Sequence, residues 1–197
     1  MLTDLVREWT RGVLLPIARL ISWSGVSPNV ITVAGFSLTV ADAILLAMGH
    51  VQLAGALLIP AAGLDAIDGS LARIQNRVTR FGAFLDSTID RLSEAVLFLG
   101  ALLYYLSGSP NQTEIIVLFV ALIGSLMVSY TKARSEAVGI TIRGGLLTRF
   151  ERMLVLIIGM MLNELTIALW ILAVFANITV LQRVWLTWRN TRDIRTR

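Results

Sequence analysis

The sequence predicts an all-α, polytopic membrane protein, with six transmembrane helices preceded by an N-terminal amphipathic helix lying in the interface. Three observations predict it. Hydrophobic residues make up 56% of the 197 and charged residues only 15%, with a mean hydropathy of +0.76, whereas a soluble domain is about a quarter charged. Segments approaching the roughly 20 apolar residues that cross a bilayer as a helix recur along the chain. The basic residues fall on alternate connections between those segments, and the remaining connections lack them.

The first 26 residues form the interfacial element. Leu2, Leu5, Val6, Trp9 and Val13 share a helical face opposite Asp4, Arg7, Glu8 and Arg11, with Trp9 and Trp23 at headgroup depth; a solvent-exposed helix is the competing account. Charges within the first ten positions argue against a cleavable signal peptide. Ser27 caps the first span and Pro28 occupies its first turn. The spans are expected over 30–48, 51–72, 81–106, 115–130 with a polar extension, 146–162 and 167–185. Charges cut into the ends of the second and fifth. One domain is expected over 1–197, a six-helix bundle over 28–188 and a tail over 189–197.

Arg7, Arg11 and Arg19 precede the first span. Arg77 and Arg80 lie between the second and third, and Lys132, Arg134, Arg143 and Arg149 between the fourth and fifth. Five more arginines from Arg183 to Arg197 close the chain. The other connections, "GH", "SGSPNQTE" and "NELT", contain no Lys or Arg. By the positive-inside rule both termini face the cytoplasm, and the protein lies in the cell membrane. Cysteine is absent, which excludes a disulfide framework and thiol chemistry. No nucleic-acid partner is expected.

Against this apolar background, "LDAIDGSLARIQNRVTRFGAFLDSTIDR" carries four aspartates. Asp65 and Asp68 are three apart and Asp86 and Asp90 four apart, so each pair shares a helical face. The pairs flank the short turn around Arg77 and so lie on adjacent antiparallel helices at similar depth. Carboxylates placed in a membrane are expensive, and four converging ones also repel unless cations hold them. Oxygen ligands without His or Cys point to Mg²⁺ or Mn²⁺. Four carboxylates suit a pair of ions, a recurring clamp for displacement at phosphorus. Gly69 and Gly82 permit close approach by a phosphate or a helix, and Arg73, one turn beyond Gly69, can pair with a phosphate.

"DAIDGSLAR" and "GAFLDSTID", separated by eight residues, fit D-x-x-D-G-x-x-A-R…G-x-x-x-D-x-x-x-D. This resembles the signature of the CDP-alcohol phosphotransferases at every fixed position. The resemblance implies transfer of a substituted phosphate from a CDP-linked donor to an alcohol with release of CMP, in phospholipid biosynthesis. It implies that Asp65, Asp68, Asp86 and Asp90 hold the metals and that Asp90 is the general base. On the donor side it implies Asp68, Gly69 and Arg73, with Asn29 and Thr32 of "SPNVIT" and Thr79 as nucleotide or diphosphate contacts. Helix capping competes as the role of Asn29, Thr32 and Thr79. The resemblance also suggests a homodimer.

The acceptor side rests on "SYTKARSEAVGITIRGGLLTRFERM", which holds the single lysine of the chain. Positive-inside charge alone is one account of Lys132. With Arg134, Arg149 and Arg152 it also makes a cationic pocket suited to a dianionic phosphate. The stretch resembles the phosphatidylinositol-phosphate synthase branch, which implies that Lys132 and Arg152, with Ser129, hold the phosphate of inositol phosphate, and that a basic residue near the C-terminus, here Arg192, contributes. One departure is that Thr148 stands where glutamate is expected before Arg149. A phosphatidylglycerophosphate synthase acting on glycerol 3-phosphate is the alternative within the family.

Two readings from other classes compete. An intramembrane cation transporter explains the aspartates, but not Arg73 or a basic pocket that would repel its cargo. A non-catalytic lipid-binding module leaves the general-base position idle. Several residues receive no functional role: Asp42, mid-span; Glu94, one turn past Asp90; His50, in an outer connection; and the "NQT" at 111–113. Trp185 and Trp188 read as interfacial belt residues, and Gly100, Gly124 and Gly159 as helix-packing glycines.

Overall fold

The computed structural model describes residues 15–108, 111–142 and 145–194, with side chains described as far as 191. Among the described residues there is no strand. Residues 15–23 are helical, and six longer helices follow: α1 Pro28–Ala47, α2 Val51–Ile74, α3 Arg80–Ser107, α4 Gln112–Ala137, α5 Arg149–Met161 and α6 Leu165–Ile194. The apolar face from Leu2 to Val13 that defines the expected interfacial helix lies outside the described residues.

Four of these helices, α1, α2, α4 and most of α6, are long and apolar enough to cross a membrane. Only 33–39% of each apolar window is buried inside the protein. The outward remainder includes Val30, Ile44, Leu53, Ile123, Trp170 and Leu181. Exposed to water, such a surface would cost about 25 cal/mol per Å²; in hydrocarbon it costs nothing. The chain is therefore an integral membrane protein. The two helices that miss the criterion do so for different reasons. α3 has the length, 28 residues, but Asp86, Asp90, Arg91 and Glu94 are spread through its first and middle turns. α5 is apolar but has 13 residues, about 20 Å at 1.5 Å per residue, less than the roughly 30 Å of hydrocarbon.

The start of α5 has a local cause. Thr148 is its N-cap, and the Thr148 N–H donates to Glu151 Oε2 at 2.8 Å, one half of a capping box. The helix thus begins at Arg149 rather than at Leu146. The threonine that departs from the expected glutamate has a structural job. At the other boundary, α4 continues past Tyr130 to Ala137, its last turns carrying Lys132 and Glu136 as an i,i+4 pair at 3.9 Å.

By its internal contacts the chain falls into two compact units. In the first, residues up to Asp42 group with Ala56–Leu97. Here Gly35 of α1 lies against Leu64 and Ala61 of α2; a Cβ added to it would sit 3.5 Å from Leu64 Cβ. Gln75 Nε2 donates to the Val26 carbonyl at 3.0 Å, tying the end of α2 to the residues before α1. Asn76, at φ +52°, reverses the chain toward α3. Asp42 is fully buried, and neither of its carboxylate oxygens has a hydrogen-bond partner among the described residues.

The second unit joins Ala43–Gly55 to the residues from Phe98 onward. Asn177 of α6 donates to the Val120 carbonyl of α4 at 3.2 Å, and Tyr105 shares a 2.8 Å hydrogen bond with Thr166. The three glycines expected to serve packing do so. An added Cβ would lie 2.5 Å from Ala43 O at Gly100, 2.6 Å from Asn177 Nδ2 at Gly124 and 2.4 Å from Ala168 Cβ at Gly159.

Candidate active site

The carboxylates belong to the first unit. α2 carries Asp65 and Asp68 along one face, α3 carries Asp86 and Asp90, and the turn at 75–79 sets the two helices antiparallel. One oxygen from each of Asp65, Asp86 and Asp90 lies within 4.8 Å of the others, and all three residues are half-buried. Octahedral Mg²⁺, at about 2.1 Å per ligand, holds opposite oxygens about 4 Å apart, so a small inward movement would place the three on one ion. The donor set is hard oxygen with no His or Cys, which fits the divalent metal expected from the sequence.

Asp68 falls outside this 4.8 Å grouping but within electrostatic range of Asp65 and Asp86. It is 4% exposed, and its Oδ2 accepts a 2.6 Å hydrogen bond from the Thr32 hydroxyl of α1. Thr32 is itself buried. The other donor-side candidates gather beside it. Thr79 Oγ1 accepts from the Gly82 N–H at 2.9 Å, the geometry of an N-cap on α3. A Cβ at Gly82 would sit 3.0 Å from that hydroxyl and 3.3 Å from Asn29 Oδ1, so the first turns of α1 and α3 meet across a residue with no side chain. Arg73 is exposed, and its Nη2 donates to Ser70 Oγ at 3.2 Å. Gly69 faces the Arg73 guanidinium, 3.8 Å from an added Cβ.

The basic residues expected on the acceptor side belong to the second unit. Arg152 is fully buried, and its Nη2 reaches Ser129 Oγ at 3.5 Å, so two of the expected phosphate ligands meet. Arg149 opens α5, half-buried, and Lys132 is exposed on α4. The Arg192 side chain lies outside the described ones. The structure adds Arg183 of α6, which sequence reasoning counted only as positive-inside charge. It is 5% exposed, donates to the Val128 carbonyl next to Ser129, and lies within electrostatic range of Arg152, Glu136 and Glu151. Its signal was available: Arg183 falls within the same apolar helix as Leu165 and Ala176, where a guanidinium is costly unless it is used.

Comparison with known proteins bears on this geometry. The sequence profile of the CDP-alcohol phosphatidyltransferase family matches residues 25–188. The archaetidylinositol phosphate synthase of Pyrococcus horikoshii is 37% identical over 181 residues, which cover 91% of this chain and 93% of that enzyme. The phosphatidylinositol phosphate synthase of Corynebacterium glutamicum is 39% identical over 187 residues, covering 90% and 85%. Among solved structures, the Mycobacterium tuberculosis phosphatidylinositol phosphate synthase with CDP-DAG bound superposes with a TM-score of 0.81 at 33% identity, covering 89% of this chain and 94% of that one. A second crystal structure of that enzyme, in complex with manganese and citrate, gives the same TM-score.

Proposed function

The chain belongs to the CDP-alcohol phosphatidyltransferase family, and from that premise we propose that it transfers the phosphatidyl group of a CDP-lipid to inositol phosphate, giving phosphatidylinositol phosphate and CMP. The observation that carries the reading is the convergence of Asp65, Asp86 and Asp90, three of the four motif aspartates, within 4.8 Å. The acceptor follows from the buried Arg152 beside Ser129 and from relatives that are inositol phosphate lipid synthases.

In this reaction the acceptor hydroxyl oxygen attacks the lipid-bearing phosphorus, a new P–O bond forms, and the bond to the CMP oxygen breaks. Asp65, Asp68, Asp86 and Asp90 are the residues to hold divalent metal, Mg²⁺ or Mn²⁺. When bound, such ions neutralise the donor diphosphate and the departing CMP. Asp90 also takes the proton of the attacking hydroxyl. Gly69 leaves room beside the donor diphosphate, and Arg73 pairs with it. Asn29, Thr32 and Thr79 border the same side. Lys132, Arg149 and Arg152, with Ser129, hold the acceptor phosphate; Arg192 and the buried Arg183 add positive charge to that pocket. The lipid tails stay in the bilayer.

We further propose a six-span bundle with both termini in the cytoplasm, α3 and α5 completing the set, and a homodimer as the resemblance suggests. The test is a turnover assay on the purified chain with CDP-diacylglycerol, offering inositol phosphate, glycerol 3-phosphate, inositol, serine and glycerol with and without Mg²⁺ or Mn²⁺. Metal-dependent CMP release with inositol phosphate is expected. Preference for glycerol 3-phosphate would move the chain to the glycerophosphate branch, and no release with any acceptor would favour a cation transporter.

A further inference from the structure

We infer that Thr32 is a positioning residue for metal binding, acting through Asp68 rather than touching the donor. This rests on the metal reading above and deepens it. Three observations carry it. The Thr32 hydroxyl and the Asp68 carboxylate meet at 2.6 Å, linking α1 to α2 across 36 residues of chain. Both partners are almost wholly buried, at 5% and 4% exposure, so little of the threonine is left for a nucleotide to contact. Asp68, meanwhile, lies beside the carboxylate trio, within electrostatic range of Asp65 and Asp86 but outside their 4.8 Å grouping.

The hydrogen bond has one available direction. Thr32 Oγ1 also lies 3.1 Å from the Pro28 carbonyl, but a hydroxyl has a single proton. The shorter contact, to a group that can carry full charge, takes it. A separation of 2.6 Å is the length of a charge-assisted O–H···O⁻ bond. The bond therefore holds the carboxylate plane from the α1 side, while the carboxylate keeps lone pairs with which to ligate. A ligating carboxylate held by an outer hydrogen bond is a common feature of metal centres, and its loss costs about 10- to 100-fold in metal affinity or activity. The same turn of α1 carries Asn29, whose Oδ1 abuts Gly82 at the start of α3. The first turns of α1 thus brace both helices that supply carboxylates.

The experiment uses the full-length protein in detergent. Mn²⁺ binding to wild type, Thr32→Val and Thr32→Ser is followed by electron paramagnetic resonance without substrate, and the CDP-lipid KM is measured separately at saturating metal. Thr32→Val keeps the shape and loses the hydroxyl; its Mn²⁺ affinity is expected to fall about tenfold or more, with the donor KM at saturating metal within about twofold of wild type. Thr32→Ser keeps the hydroxyl and is expected to bind Mn²⁺ nearly as wild type does. Unchanged Mn²⁺ affinity in Thr32→Val together with a raised donor KM would make Thr32 a donor contact and overturn the inference. So would a Thr32→Ser variant that folds yet loses Mn²⁺, a control that holds even if the valine variant does not fold. Wild type that binds no Mn²⁺ would overturn the metal reading itself, and this inference with it.

Discussion

Asp90 is the residue on which the proposed chemistry turns, because it belongs to the carboxylate trio and is the proposed general base. Asp90→Asn keeps size and polarity but cannot take that proton at neutral pH. Turnover is expected to fall by about 10²–10⁴-fold, the usual worth of a general base, while CDP-lipid binding stays near wild type. Retention of more than a tenth of the rate would remove the assigned role. On the acceptor side, exposed Lys132 gives the cleaner variant, since Arg152 is fully buried and its loss would also disturb packing. Lys132→Ala should raise the acceptor KM about ten- to hundredfold, the worth of one charge-assisted hydrogen bond, and leave the donor KM unchanged. Equal rises in both would show that the lysine serves structure. At this scale the site was only partly legible. Asp65, Asp86 and Asp90 follow from i,i+3 and i,i+4 spacing on two helices joined by a short turn. The Thr32–Asp68 bond does not, because nothing local to "SPNVIT" says which helix α1 will face. Arg183 was hidden in plain sight, one more arginine in a basic C-terminal stretch.

Helices were more legible than their ends. Hydrophobic runs located all six, with the polar extension of the fourth, and the errors came at the start of α5 and the end of α6. α4 runs on through "TKARSEA" because long side chains there are good helix formers with an internal ion pair. α5 starts late because "TRFE" is a capping box, a T-x-x-E pattern that is readable in sequence. The contacts between helices follow from small residues, which can be tested. Gly159→Val would drive a side chain into Ala168, whose Cβ lies 2.4 Å from the position of an added Cβ. Such overpacking costs about 1–3 kcal/mol, and at about 2–4 °C per kcal/mol for a chain of this size the melting temperature in detergent should drop measurably. Gly63→Ala is the control, since an added Cβ there meets nothing within 4 Å; it should leave the transition unchanged or raise it slightly. Equal drops in both variants would count against close α5–α6 packing as the cause.

For the whole molecule the open quantity is the number of crossings, and the absence of cysteine makes it measurable. Hydropathy and length pass four helices, whereas the alternation of basic and non-basic connections favours six. The disagreement is physical: α3 is disqualified by the carboxylates that make the site, and α5 by its length. Single cysteines at His50, Arg77, Ser107, Val138, Glu164 and Asn190, all exposed, can be challenged in sealed right-side-out vesicles with a membrane-impermeant maleimide. With six crossings and a cytoplasmic N-terminus, positions 50, 107 and 164 should label from outside, and 77, 138 and 190 only after permeabilisation. If neither α3 nor α5 crosses, position 107 becomes internal and 138 external, while 50, 77, 164 and 190 behave as before. If α5 alone fails to cross, position 164 becomes internal and 190 external. Each alternative reverses a different pair of positions, so one set of six variants separates them. The consequence reaches the chemistry: Lys132 lies just before Val138 on α4, and only with α3 crossing does it share the cytoplasmic side with the Arg77 turn between the two aspartate pairs. External labelling at Val138→Cys would put the basic set on the wrong side of the membrane for an acceptor made in the cytoplasm, and the acceptor assignment would fall with it.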